Sequence, residues 1–227
     1  MTDDIESDAS YLVLKERGSI IVGGRRVPQP FVDLGSHRAA DTITVDQMYV
    51  DYMVRPNAKA ARAVLIHGVG QSGNSYDTTP DGRIGRFEYF VRQEYATYVV
   101  DQIGRGRSGF NQAIFNQVGA GDASPSLQPQ IVRLGDDIGV WVNFRIGPAP
   151  RQAFADTQFP IEAIDAASQR GIPDLNAMLP SPNPTCQALV SLSHQLDKVV
   201  LIATPNPGHF RWRQYSWTLQ GSWRPSS

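Results

Sequence analysis

The sequence predicts an α/β fold with a mostly parallel sheet flanked by helices. Short apolar segments typical of buried strands occur at Ala61–Ile66, Ala96–Val100 and Val199–Ile202, and each leads into a loop containing glycine or proline. Helical patterns lie between them, at Phe87–Gln93 and Pro184–Leu196. Because strands and helices alternate, consecutive strands are expected to pair in parallel through helical crossovers.

The residues before these elements predict extended structure. Tyr11–Leu14 and Gly18–Val22 are expected to form two short strands, and Thr42–Val54 is mostly a strand. Gly23-Gly24 is expected to form a turn before Arg25, because glycine adopts positive φ at little cost.

A long irregular segment is expected to form a cap or lid inserted between the core elements. It runs from about Gly119 to Pro184, is rich in glycine and proline, and carries the aromatic residues Trp141, Phe144, Phe154 and Phe159. Long loops of this kind in compact domains are usually functional. The helix that follows has one apolar face, formed by Ala188, Leu189, Leu192 and Leu196.

Composition restricts the functional classes. The chain has 227 residues, 41% of them hydrophobic, which suits a single domain. The net charge of −1 gives no field that would attract nucleic acid, and the single cysteine, Cys186, excludes a disulfide framework or a cysteine-rich zinc site. The polar start MTDDIESDAS and the absence of an apolar run near 20 residues predict a cytoplasmic protein without a membrane partner.

The segment VLIHGVGQSGNSYD, from Val64 to Asp77, is the first to suggest chemistry. A strand that ends in His-Gly and continues into small residues presents backbone N–H groups at the carboxyl edge of the sheet. Such fixed donors stabilise an oxyanion as its charge develops. An ordinary strand-to-helix turn is the alternative, and His67 is expected to be structural and not a general base.

A second motif, VVDQIGRGRSG from Val99 to Gly109, follows the next strand. Together with HGVGQSG, the helix containing GRFEYF and the helix QALVSLSHQL, it resembles a group of bacterial carboxylesterases in the α/β-hydrolase superfamily. The similarity covers most of Gly18–Ile202, including GSIIVGG near the start.

The resemblance implies roles for individual residues. The amide of Val69, together with that of Gly70, would supply half of the oxyanion hole. The other motif residues would shape the neighbouring loops: His67, Gly68, Asp101, Gly104, Gly106 and Ser108. The resemblance implies a small-molecule ester as substrate and no cofactor or metal, and it is compatible with a homo-oligomer.

The nucleophile elbow of the superfamily, G-x-S-x-G, should follow Val199–Ile202, yet the chain contains no such pattern. The resemblance implies an elbow of the kind that this esterase group carries, Gly-His-Ser-Gln-Ser-Gly. Encoded GGC CAC TCC CAA TCC GGG, it becomes GCC ACT CCC AAT CCG GG when one G of its first codon is lost. That sequence encodes Ala-Thr-Pro-Asn-Pro-Gly, as in Ala203–Gly208. The sequence therefore predicts a partial hydrolase domain over residues 1–202 and an out-of-frame, disordered tail over 203–227.

Other functions remain open at this point. Basic and aromatic residues alternate in the tail (Arg211, Trp212, Arg213, Tyr215, Trp217), as in single-strand nucleic-acid or membrane-surface segments, but a change of frame explains them better. An epoxide or C–C-bond hydrolase on the same fold, or a non-catalytic ligand-binding remnant, is the alternative to an esterase. No catalytic serine, acid or histidine is identifiable, so this chain is expected to be inactive.

Overall fold

A mixed five-stranded sheet forms the centre of the computed structural model, which describes residues 11–33, 35–36, 38–133, 135–175 and 183–204. The strands are β1 (Glu16–Asp33), β2 (Arg38–Val54), β3 (Lys59–Ile66), β4 (Tyr95–Asp101) and β5 (Val199–Ala203). Their spatial order is β1-β2-β4-β3-β5. β3 is parallel to both β4 and β5, whereas β1–β2 and β2–β4 are antiparallel. The sheet therefore has a parallel half and an antiparallel half.

Helices connect the parallel strands as the sequence predicts. The helices are α1 (Arg86–Arg92), α2 (Ala113–Gly119), α3 (Ile164–Gln169) and α4 (Pro184–Leu196). α1 lies between β3 and β4, and α4 precedes β5. The three strands predicted from apolar segments are all present, each within two residues of its predicted ends.

The sequence determines both ends of α4. The Asn183 side chain accepts a hydrogen bond from the Thr185 amide (2.9 Å), and Pro184 occupies the first turn, where its missing N–H costs nothing. Asp197 and Lys198 then take positive φ values of 54° and 43°, which stops the helix and turns the chain into β5.

The antiparallel half differs from the sequence prediction. Gly23-Gly24 does not form a turn, because β1 continues through both glycines and pairs with β2 on either side of Gly24, at Gly23 and at Arg25. Gly24 lies opposite Asp46, and both have positive φ (97° and 60°), which produces a local distortion within the hairpin. A turn and a distorted strand both require positive φ here. The glycine pair in the sequence is therefore compatible with either structure. Tyr11–Leu14, predicted as a strand, has no regular structure.

Buried side chains cover both faces of the sheet. On one face Val64, Ile66, Val100 and Val50 pack against Ala188, Leu189 and Leu192 of α4. On the other face Leu65 and Val99 pack against Phe87 and Val91 of α1 and against Tyr76. Alternate residues of β3 point to opposite faces, so a strand covered on both sides must be apolar throughout.

The described part of the insertion has a small apolar cluster of its own. Val140 and Trp141 lie in a π-helix (Asp136–Asn143) and pack with Ile146, Phe159 and Ile164. Residues 176–182 of the predicted cap and 205–227 of the predicted tail lie outside the described residues. No described helix has the length and apolarity needed to cross a membrane.

We predict that Leu192→Ala lowers the free energy of unfolding by about 2–5 kcal/mol, because the side chain is almost fully buried beneath α4 and its removal leaves a cavity. Urea denaturation measures the loss. Leu127→Ala is the matched control, since Leu127 is 59% exposed. Equal unfolding free energies for the two variants would contradict the packing described for α4.

Candidate functional site

Three loops meet at the carboxyl edge of the parallel strands. Parallel pairing aligns the ends of β3, β4 and β5, so the residues after Ile66, Asp101 and Ala203 are neighbours. The Thr204 amide donates to the Ile66 carbonyl (3.0 Å), and the Tyr76 hydroxyl donates to the same oxygen (2.7 Å) and contacts Thr204 Oγ1 (2.8 Å). In an open α/β sheet, ligands bind at this edge.

His67 connects the first two loops. Its Nδ1 lies 2.9 Å from the Gly68 carbonyl oxygen, and its Nε2 accepts a hydrogen bond from the Gln102 amide (3.0 Å). The imidazole must therefore be neutral with the proton on Nδ1. Burial lowers the pKa of His67 to about 4, against weaker opposing effects of the Gly68 carbonyl and nearby carboxylates. With both nitrogens engaged, His67 holds the loops together and is not available as a base.

Asp101 organises the same edge from the end of β4. Its carboxylate accepts hydrogen bonds from the Gly73 amide (2.5 Å) and from the amide and Nε of Arg107 (2.8 Å each). Burial alone would raise the pKa of Asp101, but these donors outweigh it and keep that pKa below its usual value. The Arg107 guanidinium also contacts Asp51 of β2 (3.0 Å). Through Arg107, the Asp101 carboxylate therefore connects the loops after β3 and β4 to the antiparallel half of the sheet.

Small residues make room for this carboxylate. A Cβ on Gly106, which has φ +50°, would lie 2.7 Å from Asp101 Oδ2, so only glycine fits there. Gly104 also has positive φ (82°). Ser108 is buried, donates its hydroxyl proton to the Asp101 carbonyl (2.5 Å) and accepts from the Tyr49 amide (2.8 Å). Its hydroxyl is therefore fully used in structure.

Val69 and Gly70, the two predicted oxyanion donors, have different surroundings. The Gly70 amide already donates to Asp174 Oδ2 (2.7 Å), and Gly70 has φ +66°. The Val69 amide has no acceptor within the described part of the chain, and its residue is half-buried. Gly68 is buried and does not adopt positive φ. The Val69 amide is therefore available as a donor, and so are the amides of Gly68, Gln71 and Ser72, which have no acceptor among the described residues.

Two buried residues at this edge escaped sequence reasoning. Asp174, in the insertion, accepts from the Gly70 amide and from Arg105 Nε (2.9 Å), and both ionic side chains are almost wholly buried. Arg105 lies inside the GRGRSG motif, and a charged residue in a glycine-rich loop could have indicated a buried ionic partner. Asp174 gave no such indication, because it stands alone in an irregular segment 104 residues from Gly70.

Comparison with known proteins agrees with this arrangement. A solved structure of a bacterial esterase superposes with a TM-score of 0.82 and is 42% identical in sequence, over 87% of this chain. The fold is that of an α/β-hydrolase. A probable secreted lipase from a fungal species is 37% identical over 75 residues, which are 33% of this chain and 21% of the lipase. No protein-family model matches the chain.

The resemblance to bacterial esterases predicted from HGVGQSG and DQIGRGRSG is therefore confirmed. The chain, which has the α/β-hydrolase fold, spans 62% of the length of the solved esterase. In its described residues, the histidines are His67, with both nitrogens bonded, and His194, exposed on α4. Within those residues no three His, Cys, Asp or Glu side chains form a metal-binding group.

We predict that the stability of the α/β-hydrolase chain falls as the pH is lowered from 6.5 towards 4. The unfolded imidazole of His67 takes up a proton below pH 6.5, whereas the folded one does so only near pH 4. Unfolding therefore gains protons in this window and becomes easier by roughly 3 kcal/mol. Urea denaturation at several pH values measures the slope.

His67→Gln should flatten this slope, because it removes the group that titrates. His194→Gln is the matched control and should keep the wild-type slope, since it removes an exposed imidazole. Identical slopes for the wild type and both variants would contradict a buried neutral His67.

We predict that Gly73→Ala destabilises the site loops by about 1–3 kcal/mol, because the new Cβ would lie 2.8 Å from Asp101 Oδ1, Arg107 Nη2 and Val99 Cγ1. Gly119→Ala is the control: it has open space around its Cβ position and lies in α2, where alanine is favourable. Thermal unfolding compares the two, and an unaffected Gly73→Ala would show that the Asp101 site tolerates displacement.

Proposed function

We propose that this chain derives from a serine carboxylic-ester hydrolase in which the Val69 amide is one donor of the oxyanion hole. The observation that carries the proposal is the bacterial esterase, 42% identical over 87% of the chain. The unbonded Val69 amide supports it, because Val69 follows β3, whose last residue pairs with the end of β5, and an acyl-transfer oxyanion needs a fixed N–H donor near the nucleophile. The substrate is a small-molecule ester.

The chemistry would follow the general serine-hydrolase scheme. A serine after β5 attacks the ester carbonyl carbon, a histidine takes the serine proton, and an acid orients that histidine. The carbonyl oxygen becomes an oxyanion that accepts hydrogen bonds from Val69 N–H and from the residue after the serine. The alcohol leaves with the proton from the histidine, and water then releases the acid. The described residues contribute the first donor and the scaffold that fixes it.

We further propose that the reading frame changes at Ala203, so that this chain lacks the serine. β5 is present and parallel to β3 up to Ala203, which supports an authentic sequence to that point. The residues that follow are Thr-Pro-Asn-Pro-Gly, which cannot form an elbow because proline blocks the tight strand-to-helix turn. The insertion, with the apolar cluster of Trp141 and Phe159, would form part of the wall around the ester.

We predict that the purified chain does not hydrolyse p-nitrophenyl esters, because donors without a nucleophile accelerate the reaction little. Restoring one G in the codon of Ala203 should recover Gly-His-Ser-Gln-Ser-Gly, a long open frame and esterase activity. Sequencing the coding DNA around codons 202–208 and downstream, followed by expression of the restored gene, makes the comparison.

The control is the restored enzyme with the first serine of its elbow changed to alanine, which should be inactive. A stop codon directly after the restored elbow would contradict the frame change. Hydrolysis by the unrestored chain that is lost in Ser72→Ala or Ser108→Ala would contradict the position assigned to the nucleophile.

A further inference from the structure

A short segment of the insertion, residues 170–174, holds the glycine loop after β3 from both sides. The Ile172 amide donates to the Gly70 carbonyl (2.9 Å), while the Gly70 amide donates to Asp174 Oδ2 (2.7 Å). Arg170 extends the attachment by donating to Thr78 and to the Thr79 carbonyl (3.0 Å). Both polar groups of the Gly70 backbone are therefore bonded to one segment.

Asp174 is itself held in place by several contacts. Its Oδ1 accepts from Arg105 Nε (2.9 Å), and its backbone exchanges two hydrogen bonds with Val132 (2.7 and 3.1 Å). The carboxylate and the guanidinium are 3% and 2% exposed. A buried ion pair contributes little net stability compared with apolar side chains of similar size, because both charges lose their hydration. The presence of the Arg105–Asp174 ion pair is better explained by the position that Asp174 imposes on Gly70.

The position of Gly70 affects the neighbouring donor. Glycine at φ +66° is intrinsically free to change conformation, and the peptide that carries Val69 N–H is joined to Gly70 through one residue. Bonding both the N–H and the C=O of Gly70 removes that freedom. The Val69 amide, which has no acceptor among the described residues, is then held in a fixed direction, which is what stabilisation of an oxyanion requires.

We propose that Asp174 is a positioning residue that fixes the Val69 amide through Gly70, with Arg105 holding the carboxylate. The inference rests on the proposed esterase function and assigns Gly70 to the support of the donor and not to the oxyanion itself. The insertion thereby acts on the oxyanion hole through Gly70.

The test uses two double variants that both remove the buried charges. Arg105→Met with Asp174→Asn keeps an oxygen acceptor for the Gly70 amide, whereas Arg105→Met with Asp174→Leu removes it. Because each double variant removes both charges, neither leaves an unpaired buried charge, and both variants are expected to fold. Asp165→Asn, an exposed carboxylate on α3, is the control.

In the chain as it exists, amide hydrogen exchange followed by NMR should show faster exchange at Gly70 in the Leu variant, because the Gly70 amide loses its acceptor. The Asn variant and the control should keep wild-type protection of Gly70, and all should melt cooperatively. In the same samples, 15N relaxation should show greater motion of the Val69 amide in the Leu variant alone. Equal exchange at Gly70, or equal motion at Val69, in the Leu and Asn variants would overturn the proposal.

In the restored-frame enzyme, the Leu variant should lower kcat roughly tenfold to a hundredfold with little change in KM, and the Asn variant should recover most of the loss. A purely structural role would reduce the amount of folded enzyme and not separate kcat from KM. Equal kcat in the two variants would also overturn the proposal. If the restored enzyme has no activity at all, the proposed esterase function fails, and amide exchange still decides the role of Asp174.

Discussion

The parallel pairing of β3 with both β4 and β5 is the constraint on which the site depends. It brings the residues after three strands to one edge of the sheet, although they are separated by long stretches of sequence. Backbone N–H and C=O groups beyond the last hydrogen bond between the strands need a hydrogen-bond partner in the protein, in solvent or in a ligand. The Ile66 carbonyl accepts hydrogen bonds from the Thr204 amide and the Tyr76 hydroxyl, so it is not available to a ligand. The Val69 amide, three residues further along the chain, has no acceptor among the described residues.

Buried polar groups then give this edge one arrangement. His67, Asp101 and Asp174 each receive hydrogen bonds from a backbone amide of a loop, at Gln102, Gly73 and Gly70 respectively. Each bond joins a loop to a residue anchored elsewhere, so the loops cannot shift independently. A site that must aim an N–H donor benefits from such fixed loops more than from additional apolar burial. Burying two carboxylates and an imidazole costs hydration free energy, which is offset by the hydrogen bonds that these groups receive from backbone amides and arginine side chains.

The sequence predicts the parts of this structure whose signals are local. An apolar run bounded by glycine identifies β3 and β4, and an apolar face at helical spacing identifies α4. Gly23-Gly24 was misinterpreted because positive φ is required by a turn and by the distortion opposite Asp46 alike. The role of Asp174 is not predictable from the sequence, because it depends on contacts with Arg105 and Gly70 that only the tertiary fold creates. Local patterns report local conformation, whereas a buried charge is explained by its distant partners.

The division of the site along the chain follows from the same constraint. In the proposed enzyme, the residues that fix the Val69 amide lie before Leu175, and α4 and β5 then extend the sheet to the point where a nucleophile would stand. Thr204 keeps the backbone hydrogen bond to Ile66 because that bond does not depend on the side chain. A change of reading frame at Ala203 would therefore remove the reactive group without disturbing the donor that serves it. Assembly of the oxyanion hole and supply of the nucleophile are separable in this fold, since one depends on loops after β3 and β4 and the other on the turn after β5.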